Sequence, residues 1–427
     1  MIINRRSIAN VGITLLLLYA FFIGIFKRFL PNTAILFFLM LSLICVLIGN
    51  RFKVKKTSSF IFYDTVACIL IVLFNRNARF AHGFFGLDFC IVLAFFVYLL
   101  LSYTNAWHNC YSKNMLYFGI FYGFTTIFLA LFPSIYLNYV LPLFPENELS
   151  NLRLINKGIV VGFSSHFSTT AIYLVTTLSI PIIALLKKES FKKKERKLYL
   201  MLVVILFVSV LLTGKRAHSV FALFSAIVTY WILNREKKIK RGFYLFGGIC
   251  AAVVVFYVIA QFLPQANNVI IRFIDKMDAD NLLSGRVIMY LECLKMFKSN
   301  PIFGLGWGSF TYFTTFNNVN NAHNVFFQLL AENGLVLSIP FVIFIVYNYV
   351  HAVRIAMKAA IFVSKGRRKE LCLVGSSLFL QTFFVLYCLT GNPLYDFQIL
   401  MPYILSCAVS EYYYKDLKYK PIGGTRT

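Results

Sequence analysis

The stretch VGITLLLLYAFFIGIFKR (11–28) decides the fold class, because it is an apolar run long enough to cross a membrane as a helix. Comparable runs recur along the 427 residues, of which 59% are hydrophobic and only 14% are charged. An ordinary soluble domain is nearer half apolar and a quarter charged. The sequence therefore predicts a polytopic integral membrane protein.

Twelve such runs predict about twelve transmembrane helices in an all-α bundle. Lipid offers no hydrogen-bonding partner to the backbone, so a spanning segment is a helix or part of a closed barrel. The alternating pattern of an outer-membrane barrel, in segments of about ten residues, is absent. The seventh and eighth runs nearly touch, which predicts a tight hairpin. The predicted spans are 11–28, 33–50, 58–74, 84–103, 115–139, 159–186, 198–213, 217–234, 242–263, 335–353, 371–390 and 397–414.

Lysine and arginine are concentrated in alternate connecting segments. If both termini are cytoplasmic, most of the 42 bases lie in cytoplasmic segments, including the clusters in 187–197 and 354–369. This is the distribution that the positive-inside rule predicts. The net charge of +26 is therefore explained by orientation in a membrane, and we expect no nucleic-acid partner.

One long stretch of the chain has no predicted span. The predicted topology places this stretch, residues 264–334, on the outside face. We therefore divide the chain into transmembrane helices 1–9 (1–263), a large external loop (264–334), and helices 10–12 with a cytoplasmic tail (335–427). Such a loop in so apolar a chain is expected to carry the chemistry, and a structural plug is the alternative.

The loop contains two predicted short helices. The first is expected over 284–298 and the second over 324–333, where Gly334 ends it. The first helix is indicated by a stripe of apolar side chains at helical spacing. This stripe consists of Val287, Leu291, Leu294 and Phe297.

Two cations lie at the predicted tip of the tight hairpin, on the outside face. They are Lys215 and Arg216 in TGKRAHS (213–219). Cations between two apolar helices have little access to water, so an anionic partner would offset the cost of their position. We interpret them as part of an anion-binding site.

Other outside bases have two possible explanations. Arg286 lies in the first turn of a predicted helix, where free backbone N–H groups also favour an anion. Arg272, in the same loop, is a further candidate. Contact with lipid phosphates is the alternative for all of these bases, and we prefer it for Arg76 and Arg79.

Two histidines are candidate functional residues. His323 lies beside Asn324 at the start of the second loop helix, on the face that carries the outside bases. A neutral imidazole can accept a proton from a hydroxyl group, so His323 is a candidate general base. His166 lies in a polar stripe near the outer end of the sixth span. Asn324 and His166 are candidates for acceptor binding or support, and a hydrogen-bonded packing role is the alternative.

Two quoted runs of sequence resemble the signature region of the O-antigen ligase and polymerase superfamily. They are GRVIMYLECLKMFKSNPIFGLGWGSF (285–310) and NNAHNVFFQLLAENGL (320–335). The turn TGKRAHS (213–219) resembles the Ser-Arg-Gly element of this superfamily, with Lys215 in place of Ser and Ala217 in place of Gly.

The resemblance implies glycan transfer from undecaprenyl diphosphate to a sugar hydroxyl, at the periplasmic face of the bacterial inner membrane. It also implies that the enzyme uses neither a cofactor nor a metal. By position, Arg216 and Arg286 would bind the diphosphate and His323 would be the catalytic base. Lys215 and Arg272 are further candidates for the diphosphate because they are outside bases of the same region.

Three functions fit these features, and polymerisation is the leading hypothesis. A polymerase would join lipid-linked repeat units, and a ligase would transfer finished chains to a lipid A core in lipopolysaccharide biosynthesis. A chain-length regulator is a further candidate partner, besides the glycan donor, the acceptor and the membrane lipids. A transporter would be expected to show internal repeats and mid-span charges, and we find no clear repeat.

Overall fold

The structure is a computed structural model in which the described residues form helices, turns and extended segments, with no β-strand. It describes residues 5–49, 59–75, 88–145, 148–187, 191–235, 286–315, 321–364 and 366–419, together with the single residues 247 and 254.

Sixteen helices are numbered here in chain order among the described residues. Pro133–Ile135, Tyr136–Val140 and Leu141–Leu143 add irregular helical turns after α5. The helices are α1 (Arg5–Phe29), α2 (Asn32–Gly49), α3 (Ser59–Phe74), α4 (Phe89–Leu101), α5 (His108–Leu131), α6 (Glu148–Asn156), α7 (Phe167–Leu178), α8 (Pro181–Leu186), α9 (Lys193–Leu212), α10 (Arg216–Leu233), α11 (Arg286–Ser299), α12 (Phe310–Phe313), α13 (Val325–Ala356), α14 (Ala359–Ser364), α15 (Arg368–Cys388) and α16 (Phe397–Tyr419).

Six helices of the described ranges are long and apolar enough to cross a membrane: α1, α2, α5, α10, α13 and α15. Shorter apolar helices are formed by most of α3 and by the whole of α4 and α7. The all-helical membrane class is therefore confirmed, whereas the number of about twelve spans and the large periplasmic loop stay predictions. The ninth predicted span, 242–263, lies outside the described residues apart from 247 and 254.

The centre of the bundle is formed by α15 and α16, which bind each other through polar as well as apolar contacts. The rings of Phe384 and Tyr403 stack with centroids 3.6 Å apart. Ser377 Oγ donates to the carbonyl oxygen of Ser406 at 2.6 Å. Satisfied hydrogen bonds of this kind join transmembrane helices, because lipid offers polar groups no alternative partner.

Helix ends gather at two ends of the bundle. At one end, Lys187 Nζ donates to the carbonyl oxygen of Leu233 at 3.0 Å, and Lys415 Nζ lies 4.0 Å from the ring centroid of Tyr103. These contacts bring together the C-terminal ends of α4, α8, α10 and α16. We call this the basic end, because it carries the exposed lysines 192–194 and 197 before and in α9.

The opposite end is called the site end. There the Val160 N–H donates to the carbonyl oxygen of Leu212 at 3.2 Å, and Asn324 Nδ2 donates to that of Leu389 at 3.2 Å. These bonds join the segment before α7 to the end of α9, and the start of α13 to the end of α15. The rings of His218 in α10 and Tyr387 in α15, with centroids 4.7 Å apart, connect the two pairs. Only residues 213–215 separate α9 from α10, which confirms the predicted hairpin.

The sixth predicted span is wrong as a single helix. Residues 159–166 are not helical, and the helical part is divided into α7 and α8. Pro181 begins α8 and has no N–H to donate to the carbonyl four residues earlier, which interrupts the helix. Likewise, α5 ends at Leu131, ahead of Pro133, rather than continuing to residue 139.

The loop helix α11 forms where the sequence predicts a helix, but its buried face does not follow the apolar stripe. Val287 and Leu291 are 44% and 52% exposed, whereas Glu292, Cys293 and Met296 are buried. Helical spacing identifies an apolar stripe without saying what covers it. In a membrane protein, lipid is as favourable a neighbour for such a stripe as a protein core.

A kink divides α13 at Gly334, which has a φ of 63°. The glycine frees backbone groups that residues 301–306 then bind: the Leu335 N–H donates to the carbonyl oxygen of Pro301 at 2.8 Å. Gly304, with a φ of 71°, fits so closely that an added Cβ would lie 2.4 Å from the carbonyl of Glu332. The kink thereby separates residues 325–333 from the longer remainder of α13.

Candidate functional site

Three predicted site residues from distant parts of the chain are electrostatic neighbours. Burial, and then the charge of Arg286, lowers the pKa of Lys215 to about 8. Burial, followed by the charges of Arg286 and Lys215, lowers the pKa of His323 to about 4. These shifts occur because burial and nearby cations both disfavour another positive charge. We call Lys215, Arg286 and His323 the cation cluster.

The backbone directly after α15 binds two of the site residues. Arg286 Nη1 donates to the carbonyl oxygen of Thr390 at 3.1 Å. Asn324 Nδ2 donates to the neighbouring carbonyl oxygen of Leu389 at 3.2 Å. The first residue of α11 and the residue before α13 are therefore fixed to adjacent backbone groups.

The backbone around His323 is held in a rare conformation. His323 has a φ of 54° and is the only non-glycine residue with a positive φ in the ranges that the structure describes. Its N–H donates to Asn321 Oδ1 at 3.2 Å. On its other side, Asn324 Oδ1 caps α13 by accepting from the N–H groups of Phe326 and Phe327 at 3.0 and 3.2 Å. Such conformations cluster at functional sites, where the surroundings hold them in place.

A buried polar chain lies beneath the loop of His323. Gln328 Oε1 accepts from the Ala322 N–H at 2.9 Å and from Asn392 Nδ2. Gln328 Nε2 donates to Glu332 Oε1 at 3.0 Å, and the Tyr395 hydroxyl donates to Glu332 Oε2 at 2.8 Å. These side chains lie inside the protein, so they support the residues of the site rather than contact a ligand.

His166 joins the cation cluster from another direction. Its Nδ1 accepts from the Ser168 N–H at 3.2 Å and caps α7, so the ring proton of the neutral form is on Nε2. Although His166 is solvent-exposed, the loss of part of its hydration, and then the charge of Lys215, lowers its pKa to about 4. Lys215 Nζ lies 5.0 Å from the ring centroid of Phe167. His166 is thus a neutral hydrogen-bond donor rather than a base.

Of the remaining predicted bases, the structure describes only Arg216. Arg216 is half-buried at the first residue of α10, directly after Lys215. Arg272, Arg76 and Arg79 lie outside the described residues.

Sequence reasoning missed the contribution of residues 389–396 (LTGNPLYD). Their backbone carbonyls bind Arg286 and Asn324, and Asn392 and Tyr395 complete the buried polar chain. The Gly-Asn-Pro turn after an apolar span was the available signal in the sequence. A turn motif alone does not show which distant side chains its carbonyl groups will bind.

Comparison with known families supports the resemblance. Residues 201–342 match the family model described as O-antigen ligase. The chain carries an O-antigen ligase family region. This region includes Lys215, Arg216, Arg286, His323 and Asn324. A search of curated proteins gave no match to the chain.

The O-antigen ligase family region supports the O-antigen ligase and polymerase superfamily, and with it a glycosyl-transferring function of the ligase or polymerase type. Together with the apolar helices, it indicates a bacterial membrane protein of polysaccharide biosynthesis that acts on lipid-linked glycan and acceptor substrates. Chemically, the cation cluster offers two cationic side chains for an anion and a neutral imidazole for a proton.

Proposed function

We propose that the protein polymerises polysaccharide repeat units by transferring a glycan from undecaprenyl diphosphate to a hydroxyl group of another lipid-linked unit. The observation that carries this proposal is the convergence of Lys215, Arg286 and neutral His323 within the O-antigen ligase family region. The donor is anionic and the acceptor hydroxyl must lose a proton, and the cation cluster has one group for each need.

In the proposed reaction, the acceptor oxygen attacks the anomeric carbon of the donor glycan. A new glycosidic C–O bond forms while the C–O bond to the diphosphate breaks, and the acceptor proton passes to His323. Undecaprenyl diphosphate leaves with the bonding electron pair. Attack opposite the leaving group inverts the anomeric centre.

Cations bound to the diphosphate stabilise the charge that develops on this leaving group. We assign this role to Arg286 and Lys215, with Arg216 and Arg272 in support. No metal is required in this scheme, because guanidinium and ammonium groups take the place of a divalent ion. Asn324 and His166 position the His323 loop and the acceptor.

In the proposed reaction, donor binding also raises the basicity of His323. In the free protein the pKa of His323 is lowered to about 4 by burial and by two neighbouring cations. A bound diphosphate offsets those cations and raises the pKa towards the ordinary value of a histidine, since an opposite charge favours the protonated form. The imidazole is then a stronger base in the donor complex than in the free enzyme.

We place the site end at the periplasm and both termini in the cytoplasm of the inner membrane. The exposed lysines of the basic end support this orientation through the positive-inside rule. In this topology residues 1–263 contain nine spans, 264–334 form the periplasmic loop, and 335–427 contain three spans and the tail.

A ligase is the second candidate function, which the description of the matching family as O-antigen ligase favours. The donor and its site would be the same, and the acceptor would be a lipid A core.

Surface polysaccharide on a gel distinguishes the two functions in a deletion strain complemented with wild type or His323→Ala, at matched membrane levels. For a polymerase, the deletion and His323→Ala both leave a core that carries a single repeat unit. For a ligase, the core is bare and chains stay on the lipid carrier. A normal ladder from His323→Ala overturns the assignment of the base.

A further inference from the structure

The loop helix α11 is connected at both ends to the ends of membrane spans. At its start, Arg286 Nη1 donates to the carbonyl oxygen of Thr390, two residues after α15 ends. Just beyond its end, the carbonyl oxygen of Pro301 accepts from the N–H of Leu335, where the longer remainder of α13 begins. The 14 residues of α11 form a helix about 21 Å long. This helix therefore lies across the site end of the bundle, near the level at which the spans end.

The exposed side of α11 changes from apolar to basic along the helix. Val287, Ile288 and Leu291 are 44%, 53% and 52% exposed. Lys295 and Lys298 are also exposed, and they follow Leu291 at the spacing that keeps side chains on one side of a helix. The first half of this side thus suits hydrocarbon, whereas the second half suits anionic groups.

The opposite side of α11 is fixed to the protein. The ring of Tyr290 stacks on that of Phe327, with centroids 4.9 Å apart. Glu292, the only acidic residue of α11, accepts from the hydroxyl of Thr314 at 2.9 Å and from the N–H of Thr315 at 3.0 Å. The single carboxylate therefore points into the protein, and the exposed side carries only apolar and basic groups.

The apolar surface of α11 continues into the surface of a membrane span. Ile302 and Phe303, directly beyond the helix, are 54% and 55% exposed, and Leu335 and Val336 are 56% and 47% exposed. The Val336 N–H donates to the carbonyl oxygen of Ile302 at 3.1 Å, so the two exposed pairs adjoin. Because α13 is long and apolar enough to cross a membrane, its exposed apolar side chains contact lipid. The surface next to them lies at the edge of the same lipid layer.

We propose that α11 lies in the boundary of the lipid leaflet at the site end, with Val287, Ile288 and Leu291 in contact with phospholipid acyl chains. A helix in the plane of a membrane surface buries an apolar side between headgroups and chains. Lys295 and Lys298 then extend their stems along the chains and bring their ammonium groups to the lipid phosphates. This proposal does not depend on the proposed function, because it requires only that the bundle spans a membrane.

Photocrosslinking of the full-length protein in phospholipid nanodiscs tests the proposal. A diazirine-bearing amino acid in place of Leu291 should give phospholipid adducts on illumination. Their yield should be within about threefold of that in place of Val336, because both positions then face lipid. Cys293 is the matched control, since it is on the same helix and only 1% exposed. There the yield should be less than about a tenth, because close packing excludes lipid.

The products at position 291 identify what covers this surface. Adducts mainly with water would place α11 in the aqueous space and overturn the proposal. Adducts mainly with a second copy of the chain would overturn it in favour of a protein interface.

Wild-type protein gives a second readout that does not depend on the folding of a variant. Phospholipids with a diazirine in the acyl chain should label residues within 287–291 and 302–303, besides exposed residues of α13 beyond Gly334. Labels on α13 without any in 287–303 would overturn the proposal.

Discussion

The two ends of the bundle differ in whether their buried charges are compensated by ion pairs within the protein. At the basic end, Glu411 pairs with His351 at 2.6 Å and with Lys415 at 2.9 Å. At the site end, Lys215 and Arg286 are neighbours, and no carboxylate of the described ranges forms an ion pair with either. A buried ion needs compensation. The basic end contains its own, whereas the site end is suited to a ligand that brings the negative charge.

The largest effect on activity is expected at the site end, where we propose that the reaction takes place. His323→Ala should lower kcat for transfer from a labelled lipid-linked donor in detergent by about 10²- to 10⁴-fold, the usual contribution of one general base. The KM for the donor should change little, because the cations stay in place.

His166→Ala is the matched comparison for His323→Ala. Its ring accepts a hydrogen bond from Ser168 and serves as a cap, so its loss should reduce kcat far less than that of His323. Equal losses in the two variants would contradict the assignment of the base to His323.

At the basic end we expect an effect on stability without an effect on chemistry. Glu411→Ala removes the partner of both His351 and Lys415, and breaking a buried pair typically costs about 3–5 kcal/mol. The yield of folded protein and the thermal midpoint in detergent should fall.

Activity per folded molecule distinguishes the two ends. It should stay near the wild-type value in Glu411→Ala, because Glu411 is at the end opposite to the cation cluster. A loss of kcat per folded molecule as large as that of His323→Ala would show that the two ends are not independent.

Close backbone packing also stabilises the site end. Substitution of two glycines, Gly304 and Gly308, tests this contribution. Gly304→Ala should destabilise the protein more than Gly308→Ala, although both residues have a positive φ, of 71° and 80°. An added Cβ at Gly304 meets the carbonyl of Glu332 at 2.4 Å, whereas nothing lies within 4 Å of one at Gly308.

A left-handed conformation alone costs an ordinary residue about 1–2 kcal/mol, which is the effect expected for Gly308→Ala. The clash at Gly304 adds to that cost. Chemical denaturation of both variants measures the difference. Equal midpoints would mean that the contact between residues 301–306 and α13 is not tight.

Sequence alone predicts the helices well, because apolarity over about 20 residues is a local property. The hairpin at Lys215 and the loop helices near Arg286 and Asn324 follow from such local signals. The break at Pro181 was readable as well, since proline removes a backbone donor. The prediction of a single span over 159–186 did not take this break into account.

Long-range contacts set the limit of sequence reasoning. Nothing local predicts that Arg286 binds the carbonyl of Thr390, 104 residues away, or that Glu292 rather than Val287 lies on the buried face of α11. Local signals made His323 and Arg286 candidates, and the family resemblance implied their roles. Their proximity to Lys215 depends on the packing of α10, α11, α13 and α15.

The smallest expected effect is the pH dependence of donor binding. Burial and Arg286 lower the pKa of Lys215 to about 8, so its positive charge is present below pH 8 and is lost as the pH rises through that value. The affinity of wild type for inorganic diphosphate, divided by that of Lys215→Arg at the same pH, should therefore fall by about tenfold between pH 7 and pH 10, the equivalent of one charge-assisted contact. Lys215→Arg is the reference because a guanidinium stays charged over this range, and the charge of the probe changes equally in both measurements. A ratio that does not change with pH would remove Lys215 from the set of diphosphate contacts.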